Sequence, residues 1–509
     1  MKMAKIISAE EAVNLIQSNQ TVAILGSGGC VCEPSLVLTK LGERYQAEGQ
    51  PQNLTLYHAN GIGDKDSLGT DALAYEGLVK RDIAGHWGMA PKMAQLAQEE
   101  KIEAYNFPQG VLSQMYQAVA GNKPGVITKI GLHTFIDPRV EGGRMNRSAK
   151  EDLVQVIELN GEEWLFYPSM KFDVGLVRGT AADCNGNITY EEEAAILDGM
   201  ALAQAAHNSG GIVIAQVKYL SEQKAHPKDV VIPGIYVDYI VVDSEQKQTC
   251  ERVYDPALAG NIRIPFDHVP DMEMGPRKIV ARRAAKELPK GEAVVNLGVG
   301  MPDGVAAVAR EEGYLDSLHF TVEQGIIGGM PMPGIIFGVS HNADAMVDQT
   351  AQFNFYDGGG LDVCFLGMAQ TDKKGNVNSS KTGRLLAGCG GAINISQGAK
   401  KVVFCGTFTA KGLKESVKDG KLVIEQEGQI CKFVEEVDQI TFSGEYAKSI
   451  DQPVLYVTER AVFELRDGKV VLTEIAPGID LDKDILAHMD FEPEISENLS
   501  VMDENIFNA

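Results

Sequence analysis

Apolar residues in this chain occur in short runs that alternate with longer segments of helical periodicity. Among these runs are TVAIL (21–25), DVGLV (173–177) and AVVNL (293–297), each of which has the length of a buried strand. The first helical segment begins after Ser8, and Ser8 and Glu11 have the spacing of a capping box. Buried strands that alternate with helices are typical of α/β domains with parallel sheets.

One strand and its following turn occur twice. Residues 173–189 read DVGLVRGTAADCNGNIT and residues 362–378 read DVCFLGMAQTDKKGNVN, and they align without a gap at an offset of 362 − 173 = 189. Each copy contains a strand followed by a D-x-x-G-N turn, and a second apolar strand follows at 210–217 and at 400–406. The repeat predicts two similar α/β halves.

Both halves also open in the same way, with a helix, a strand and then a glycine-rich loop. A stretch rich in Pro and Asp, residues 254–276, lacks periodicity and reads as a linker between them. We therefore predict two similar open α/β domains in tandem, each with a largely parallel sheet covered by helices. The predicted domains are residues 1–265 and residues 275–509.

The charge balance limits the classes of partner. Of 509 residues, 46 are Lys or Arg and 70 are Asp or Glu, so the net charge is 46 − 70 = −24. This charge argues against nucleic acid or an anionic membrane as the main partner. It does not argue against an anionic small molecule, because backbone amides bind anions locally.

Apolar runs and cysteines indicate the compartment. No run reaches the roughly 18 apolar residues of a membrane span, and the N-terminal segment lacks the apolar region of a signal peptide. Most of the eight cysteines lie in apolar, strand-like runs, which suits a reducing compartment. Cys30 and Cys32 lack a second pair or a nearby histidine, so we interpret them as apolar residues and expect no metal site. We expect a cytoplasmic protein.

Candidate chemistry is concentrated in the segment HFTVEQGIIGG (319–329). A strand-like run ends at Glu323, and the glycines that follow are expected to leave room for a ligand. When LTLYHANG (54–61) is aligned with the same strand, Ala59 takes the place of Glu323, so the carboxylate belongs to the second half alone. A purely structural role for Glu323, as a loop cap or an exposed acid, stays open from its position alone.

Two further glycine-rich segments indicate ligand binding. The loop Gly298–Pro302 precedes a helix and offers amides to a phosphate. Its spacing departs from the dinucleotide motif, although Glu323, about 20 residues later, has the position of a ribose-binding acid, so an NAD-dependent oxidoreductase stays open. The triplet Gly358–Gly360 brings together N–H groups suited to an oxyanion.

Taken together, these segments resemble a family I CoA-transferase, most closely the acetate/propionate (short-chain acyl) group. The similarity extends over nearly the whole chain and includes KIEAYNFPQG, NLGVGMP, TVEQGIIGG, FYDGGGLDVCFLG and APGIDLDKDILAHMDF. The resemblance implies that Glu323 is the nucleophile and that Gln109, in a Pro-Gln-Gly motif, faces it. It also implies that CoA contacts Gly298, Val299, Gly300, Met301 and Pro302, and that Gly359 and Gly360 bind the reacting carbonyl oxygen.

The reaction implied is ping-pong transfer of CoA from a short-chain acyl-CoA to a free acid such as acetate, propionate, lactate or butyrate, through a glutamyl-CoA thioester. Coenzyme A is then a substrate and a transient covalent adduct, with no permanently bound cofactor. Acyl-CoA and short-chain carboxylates are the expected partners, and a homo-oligomer, either dimer or tetramer, is the expected assembly. A 3-oxoacid CoA-transferase or an acyl-CoA hydrolase is the alternative within the family, and a non-catalytic CoA sensor or the oxidoreductase is the alternative outside it.

Overall fold

The computed structural model describes residues 4–265, 271–383 and 385–508. The described residues divide into two compact units. Unit 1 comprises those of Met1–Ile264, Val322–Asn354 and Arg384–Asn394, and unit 2 comprises those of Pro265–Thr321, Phe355–Gly383 and Ile395–Ala509. Unit 1 thus includes two segments from the second half of the sequence. The predicted domain limits stay a prediction, and residues 266–270 of the predicted linker lie outside the described residues.

The secondary structure alternates between strands and helices. The α-helices are α1 (Ala9–Asn14), α2 (Ser35–Glu48), α3 (Pro91–Gln98), α4 (Gln109–Ala120), α5 (Gly199–Asn208), α6 (Pro276–Ala285), α7 (Gly304–Glu311), α8 (Gln349–Asp357), α9 (Ala392–Gly398) and α10 (Gly444–Ser449). The strands before α6 are β1 (Lys5–Ile7), β2 (Thr21–Ile24), β3 (Leu54–His58), β4 (Val79–Ala84), β5 (Glu103–Asn106), β6 (Gly125–Thr128), β7 (Gln155–Leu159), β8 (Glu162–Pro168), β9 (Val174–Ala182), β10 (Ile188–Thr189), β11 (Ile212–Leu220), β12 (Val230–Ile232) and β13 (Tyr239–Val242).

The later strands are more numerous and shorter. They are β14 (Ala293–Leu297), β15 (Leu318–Val322), β16 (Ile326–Ile327), β17 (Met330–Pro331), β18 (Ser340–His341), β19 (Ala345–Met346), β20 (Val363–Gly367), β21 (Gln370–Asp372), β22 (Val377–Asn378), β23 (Lys381–Thr382), β24 (Leu385–Leu386), β25 (Val402–Cys405), β26 (Thr409–Ala410), β27 (Lys414–Lys418), β28 (Lys421–Gln426), β29 (Ile430–Cys431), β30 (Phe433–Val434), β31 (Val454–Val457), β32 (Ala461–Arg466), β33 (Lys469–Ile475) and β34 (Glu494–Val501).

Unit 1 is built on a parallel sheet with the order β1-β13-β11-β9-β2-β3-β4-β5. Its central strand β9 is buried at all nine positions, as expected of a strand covered on both faces. Helix α5 packs on β9 and β11 and also contacts α4. Strands β6, β8 and β7 form a separate antiparallel sheet. The hydrophobic core of unit 1 therefore lies around the central strands β9 and β2, and helices cover the sheet there.

Unit 2 contains a sheet in which the order β15-β14-β20-β25-β31-β32-β33-β34 can be followed. The first five strands in this order are parallel to one another, namely β15, β14, β20, β25 and β31. The pairs β31–β32 and β32–β33 are antiparallel, and β33–β34 is parallel again. Helix α6 packs against α7, β25 and β31. Both units therefore have the largely parallel, helix-covered sheet that the sequence predicted, and the predicted fold class is confirmed.

The repeated turn has the same hydrogen bonds in both units. In unit 1 the Asp183 carboxylate accepts from the backbone and side-chain amides of Asn187, at 2.9 and 3.0 Å. In unit 2 Asp372 accepts from Asn376 in the same way, at 3.0 and 2.9 Å. In each turn, the aspartate side chain thus accepts hydrogen bonds from backbone N–H groups. The sequence repeat therefore corresponds to a repeat in three dimensions.

The N-terminal helix has the predicted capping box. The Glu11 N–H donates to the Ser8 hydroxyl at 3.1 Å, and the Ser8 N–H donates to the Glu11 carboxylate at 2.8 Å. Among the helices that the structure describes, none has both the length and the apolar character needed to cross a bilayer.

Candidate functional site

Glu323 is the first residue after β15, in the turn that ends the strand. Gly325 closes this turn, because its N–H donates a 3.1 Å hydrogen bond to the carbonyl oxygen of Val322. Gly325 has a φ of +91°, and a Cβ there would lie 2.1 Å from the carbonyl oxygen of Val347. Only glycine fits this position. The turn therefore holds the partly buried Glu323 side chain at a defined point beyond the strand.

The next two glycines in this segment are also closely packed. A Cβ at Gly328 would lie 2.1 Å from Oδ2 of Asp344, and one at Gly329 would lie 2.2 Å from the carbonyl oxygen of His341. The expectation that the glycines after Glu323 leave room for a ligand is wrong on this side, because the chain itself fills the space.

Gln324 is buried beside the glycine-rich loop that follows β2, in which Ser27 lies. Its Nε2 donates a 3.1 Å hydrogen bond to the hydroxyl of Ser27, and its carboxamide lies against Gly338, where a Cβ would be 2.8 Å from Cδ of Gln324. The residue that follows the predicted nucleophile thus anchors the turn to the glycine-rich loop of unit 1.

Gln109 begins α4 and belongs to unit 1, as does Glu323. Its side chain is buried, and its Nε2 donates a short hydrogen bond to Oδ1 of Asn60 and a longer one, at 3.5 Å, to Oε1 of Gln349. Its own N–H donates to the carbonyl oxygen of Gly390 at 2.9 Å. The structure therefore places the predicted glutamine in a cluster of buried carboxamides.

A buried carboxyl group adjoins this cluster. Oδ2 of Asp198 accepts a 2.8 Å hydrogen bond from Nε2 of Gln349, and Oδ1 accepts from the hydroxyls of Ser113, at 2.6 Å, and Thr350, at 3.2 Å. Burial raises the pKa of Asp198 to about 7, although both hydroxyls lower it. Because a carboxyl group is costly to bury, its place beside Gln349 calls for an explanation.

The loop Gly298–Pro302 connects β14 to the segment before α7 in unit 2. Gly298 donates a 2.7 Å hydrogen bond to the carbonyl oxygen of Phe365, which fixes the start of the loop. Val299 is 57% exposed, and Gly300 has a φ of +94° with open space on its Cβ side. The middle of this loop is therefore accessible to a ligand, as a CoA-binding loop requires, although its contact with CoA stays a prediction.

Gly359 and Gly360 lie just after Asp357, the last residue of α8, and cap this helix. The Gly359 N–H donates to the carbonyl oxygen of Tyr356 at 3.0 Å, and the Gly360 N–H donates to that of Phe355 at 2.9 Å. With a φ of +86° at Gly359, this is a Schellman motif. In this structure both amides are used by the helix, so binding a carbonyl oxygen with them would require this helix end to open.

Sequence reasoning missed four parts of the site, which are Asn60, Asp198, Gln349 and the segment Gly388–Gly391. One signal for Asn60 was available, because it follows β3 as Gln109 follows β5, and the carboxyl ends of parallel strands meet at one edge of a sheet. A signal for Gly388–Gly391 was also available, because these residues read GCGG, a glycine cluster like the two that the sequence marks. Asp198 and Gln349 come from segments far apart in sequence, and no local pattern marks them.

Cys30 and Cys32 are both buried, and the Cys32 thiol donates to the carbonyl oxygen of Ala195 at 3.1 Å. Cys30 lies beside Cys250, and this contact and burial raise the pKa of the Cys30 thiol. Over the described part of the chain, no group of three or more His, Cys, Asp or Glu side chains is arranged to hold a metal ion.

Comparison with known proteins shows similarity along the full length of the chain. The model of the Coenzyme A transferase family matches residues 6–243. A caffeate CoA-transferase of Acetobacterium woodii is 48% identical over 99% of this chain and 98% of its own. The acetate CoA-transferase YdiF of Escherichia coli (strain K12) is 46% identical over 99% of this chain and 95% of its own.

A solved structure agrees with these relatives. It is the crystal structure of the acyl-CoA transferase YdiF from E. coli O157:H7 as a thioester complex with CoA. It is 44% identical, the match covers 100% of this chain and 96% of that chain, and the TM-score is 0.95. These matches confirm the resemblance and leave the oxidoreductase without support. The chain therefore belongs to the coenzyme A transferase family, and it is a CoA-transferase.

Proposed function

We propose that this enzyme moves CoA between a short-chain acyl-CoA and a free short-chain carboxylate, with acetate, propionate, lactate and butyrate as the candidate acids. The similarity to an acetate CoA-transferase along almost the entire chain supports a short-chain acid. The observation that carries the mechanism is the position of Glu323 beyond the end of β15, in the same compact unit as the buried amide of Gln109.

Glu323 acts as the nucleophile in this proposal. Its carboxylate oxygen attacks the thioester carbonyl, the C–S bond breaks, and a mixed anhydride and CoA thiolate are formed. The thiolate then attacks the glutamyl carbonyl, the anhydride C–O bond breaks, and the first acid leaves as its carboxylate. The enzyme now carries a glutamyl-CoA thioester, and a second carboxylate reverses these steps. The covalent intermediates divide one difficult exchange into easier ones, and no step needs a proton.

Gln109 stabilises the oxyanion of each tetrahedral intermediate. Its Nε2 has two N–H bonds, one in the short contact to Asn60 and one in the 3.5 Å contact to Gln349. The second contact is long for a hydrogen bond, so this N–H is the one that an oxyanion takes over. Loss of such a donor typically costs about 2.7–4 kcal/mol of transition-state stabilisation.

As the resemblance implies, the other glycine-rich segments bind the rest of the substrate in this proposal. The exposed loop Gly298–Pro302 contacts CoA, and binding far from the sulfur helps a weak nucleophile to attack. Gly359 and Gly360 contribute to the reacting carbonyl only if their hydrogen bonds to the end of α8 are exchanged. The mechanism above does not depend on them.

We also propose that the chain forms a homo-oligomer, as the resemblance implies, and that it acts in the cytoplasm. Light scattering is expected to give the mass of two or four chains. A species of 55.0 kDa at working concentration would contradict the assembly.

The covalent intermediate is the sharpest test of this function. Incubation with acetyl-CoA in the absence of an acceptor acid is expected to leave CoA attached to Glu323, on the peptide that contains Val322–Gln324. Mass spectrometry detects the adduct, hydroxylamine removes it, and borohydride treatment inactivates the loaded enzyme. Glu323→Ala should give no adduct and no transfer.

An exposed glutamate in the acidic C-terminal segment provides the control, because Glu492→Ala removes a carboxylate of the same kind. This variant should form the adduct and transfer CoA at the wild-type rate. An adduct at another residue, or full transfer by Glu323→Ala, would contradict the mechanism. Adduct formation followed only by release of free acid and CoA would favour the hydrolase alternative, and transfer to 3-oxoacids alone would favour the 3-oxoacid alternative.

A further inference from the structure

The orientation of the Gln109 carboxamide is determined from two sides. On one side, the carbonyl oxygen of Gly26 accepts a 2.8 Å hydrogen bond from Nδ2 of Asn60. A carbonyl oxygen only accepts, so Asn60 must direct its NH₂ group to Gly26 and its Oδ1 to Gln109. Gln109 must then offer its NH₂ group to Asn60.

The other side leads to the same orientation. The Oδ2 of Asp198 accepts a 2.8 Å hydrogen bond from Nε2 of Gln349. In its ionised form Asp198 only accepts, so Gln349 then directs its NH₂ group to Asp198 and its Oε1 to Gln109. The two arguments begin at different acceptors, yet both require the side-chain nitrogen of Gln109 to face the oxygens of Asn60 and Gln349.

Burial makes this arrangement strict. Asn60 and Gln109 are each 4% exposed, Asp198 is 2% exposed and Gln349 is fully buried. Water is thus a poor substitute for a missing partner, and a reversed amide would bring two carbonyl oxygens or two NH₂ groups together, which is costly in a buried site. Asp198 in turn is held by the hydroxyls of Ser113 and Thr350 on its other oxygen.

We propose that Asp198, acting through Gln349, is a positioning residue that fixes which end of the Gln109 carboxamide faces the reacting carbonyl of the substrate. This inference rests on the proposed role of Gln109 as the oxyanion donor. Asn60 and Gly26 fix one N–H of Gln109, and Gln349 and Asp198 hold the other until the oxyanion takes it over. The acid–amide pair thereby keeps the donor ready in the absence of substrate.

Gln349→Met tests this arrangement, because methionine keeps the length of the side chain and removes both hydrogen bonds. The kcat for transfer from acetyl-CoA to propionate should fall about 10- to 100-fold, since misplacement of a reacting group by about 1 Å has an effect of this size. The KM for acetyl-CoA should change by less than about threefold, because the substrate ground state does not use this contact.

A pair of substitutions at position 198 covers the case in which Gln349→Met fails to fold. Asp198→Asn retains an oxygen acceptor for Gln349 and an NH₂ group for the hydroxyl oxygens, so it should keep kcat within about threefold of the wild type. Asp198→Leu removes the acceptor and should lower kcat as Gln349→Met does. Gln204→Met, the same replacement at a partly buried glutamine of α5 outside this cluster, serves as the control, with kcat nearly unchanged.

A double-mutant cycle separates positioning from a merely structural role. If Gln349 acts through Gln109, adding Gln349→Met to Gln109→Ala should lower kcat no further. Independent, additive losses, or a normal kcat in both Gln349→Met and Asp198→Leu, would overturn the inference. A Gln109→Ala variant with wild-type kcat would instead overturn the proposed role of Gln109, and this outcome is distinct from the others.

Discussion

The N–H of Gly360 donates a 2.9 Å hydrogen bond to the carbonyl oxygen of Phe355 and so closes the last turn of α8. The adjacent Gly359 has the left-handed conformation that this helix end requires. The glycine triplet that the sequence marks as a nest for an oxyanion thus has a structural function, and two explanations of the same residues make different predictions.

Substitution of Gly359 distinguishes the explanations. A Cβ at Gly359 meets nothing within 4 Å, so Gly359→Ala introduces only the strain of a left-handed alanine, about 1–2 kcal/mol. We expect the free energy of unfolding to fall by this amount and kcat at 25 °C to stay within about twofold of the wild type. Chemical denaturation and steady-state transfer assays measure the two quantities.

A loss of kcat greater than about tenfold with an intact fold would contradict the structural explanation and favour the oxyanion role. Gly210→Ala is a matched control for backbone strain, because Gly210 follows the end of α5 with a similar φ of +82°, and a Cβ there also meets nothing within 4 Å.

The second prediction concerns the loop between β14 and α7. Val299 is 57% exposed there, and CoA carries several phosphate charges. Val299→Glu should raise the KM for acyl-CoA about three- to tenfold, because like charges near the surface repel by roughly 1 kcal/mol. The kcat should stay unchanged, and the increase in KM should shrink as salt rises.

Two controls accompany this substitution. Val299→Gln introduces a side chain of the size of glutamate without its negative charge and should leave KM near the wild-type value. Val253→Glu adds the same charge at another exposed valine, in unit 1. Equal KM values for Val299→Glu and Val299→Gln would show that CoA does not approach this loop.

The sequence was informative where a local pattern has one structural solution. The D-x-x-G-N turn is an example, because the carboxylates of Asp183 and Asp372 accept hydrogen bonds from backbone N–H groups of their own turns. The capping box at Ser8 is another, and the parallel sheets follow from the alternation of strands and helices. In the same way, the end of a strand at Glu323 was predictable from residues 319–329 alone.

Glycines and buried polar residues were less predictable. A glycine in a sequence signals either space for a ligand or close packing, and the carbonyl oxygen of Val347 beside Gly325 shows that packing prevails at this turn. Asp198 and Gln349 are 151 residues apart in sequence. Their pairing depends on the assembled unit, and composition and spacing do not encode it locally.

A third prediction tests Gln109 as a donor. Gln109→Glu keeps the size of the side chain but replaces its NH₂ group with an acceptor that faces Oδ1 of Asn60 and Oε1 of Gln349. The kcat should fall about 100- to 1,000-fold, as for loss of an oxyanion donor. The loss should be at least as large as in Gln109→Ala, since a negative charge opposes the oxyanion.

Steady-state transfer between acetyl-CoA and propionate gives kcat for both variants, and circular dichroism shows that they are folded. Gln117→Glu, a substitution of the same kind in the same helix α4, is the control and should have wild-type kcat. A Gln109→Glu variant more active than Gln109→Ala would contradict donation by this side chain.

The last prediction concerns pH and the buried Asp198. Its pKa is raised to about 7 in the folded protein, chiefly by burial and in part by the negative charge of Asp348. Aspartate in an unfolded chain has a pKa of about 3.9, so between roughly pH 4 and pH 7 the folded state binds more protons than the unfolded state. Stability from this group is therefore fully present below about pH 4 and is lost as the pH rises towards 7.

Asp198→Asn removes this titration and keeps the hydrogen-bond acceptor for Gln349. The free energy of unfolding of the variant, minus that of the wild type, should increase from pH 4 to pH 7 by up to about 4 kcal/mol and then level off. Other ionisable groups near Asp198, namely Asp348, Tyr57 and Tyr116, are common to both proteins and cancel to first order in the difference. Urea denaturation at a series of pH values measures it. A difference that is constant across this range, or that decreases with rising pH, would show that Asp198 is not held as a buried carboxyl group with a raised pKa.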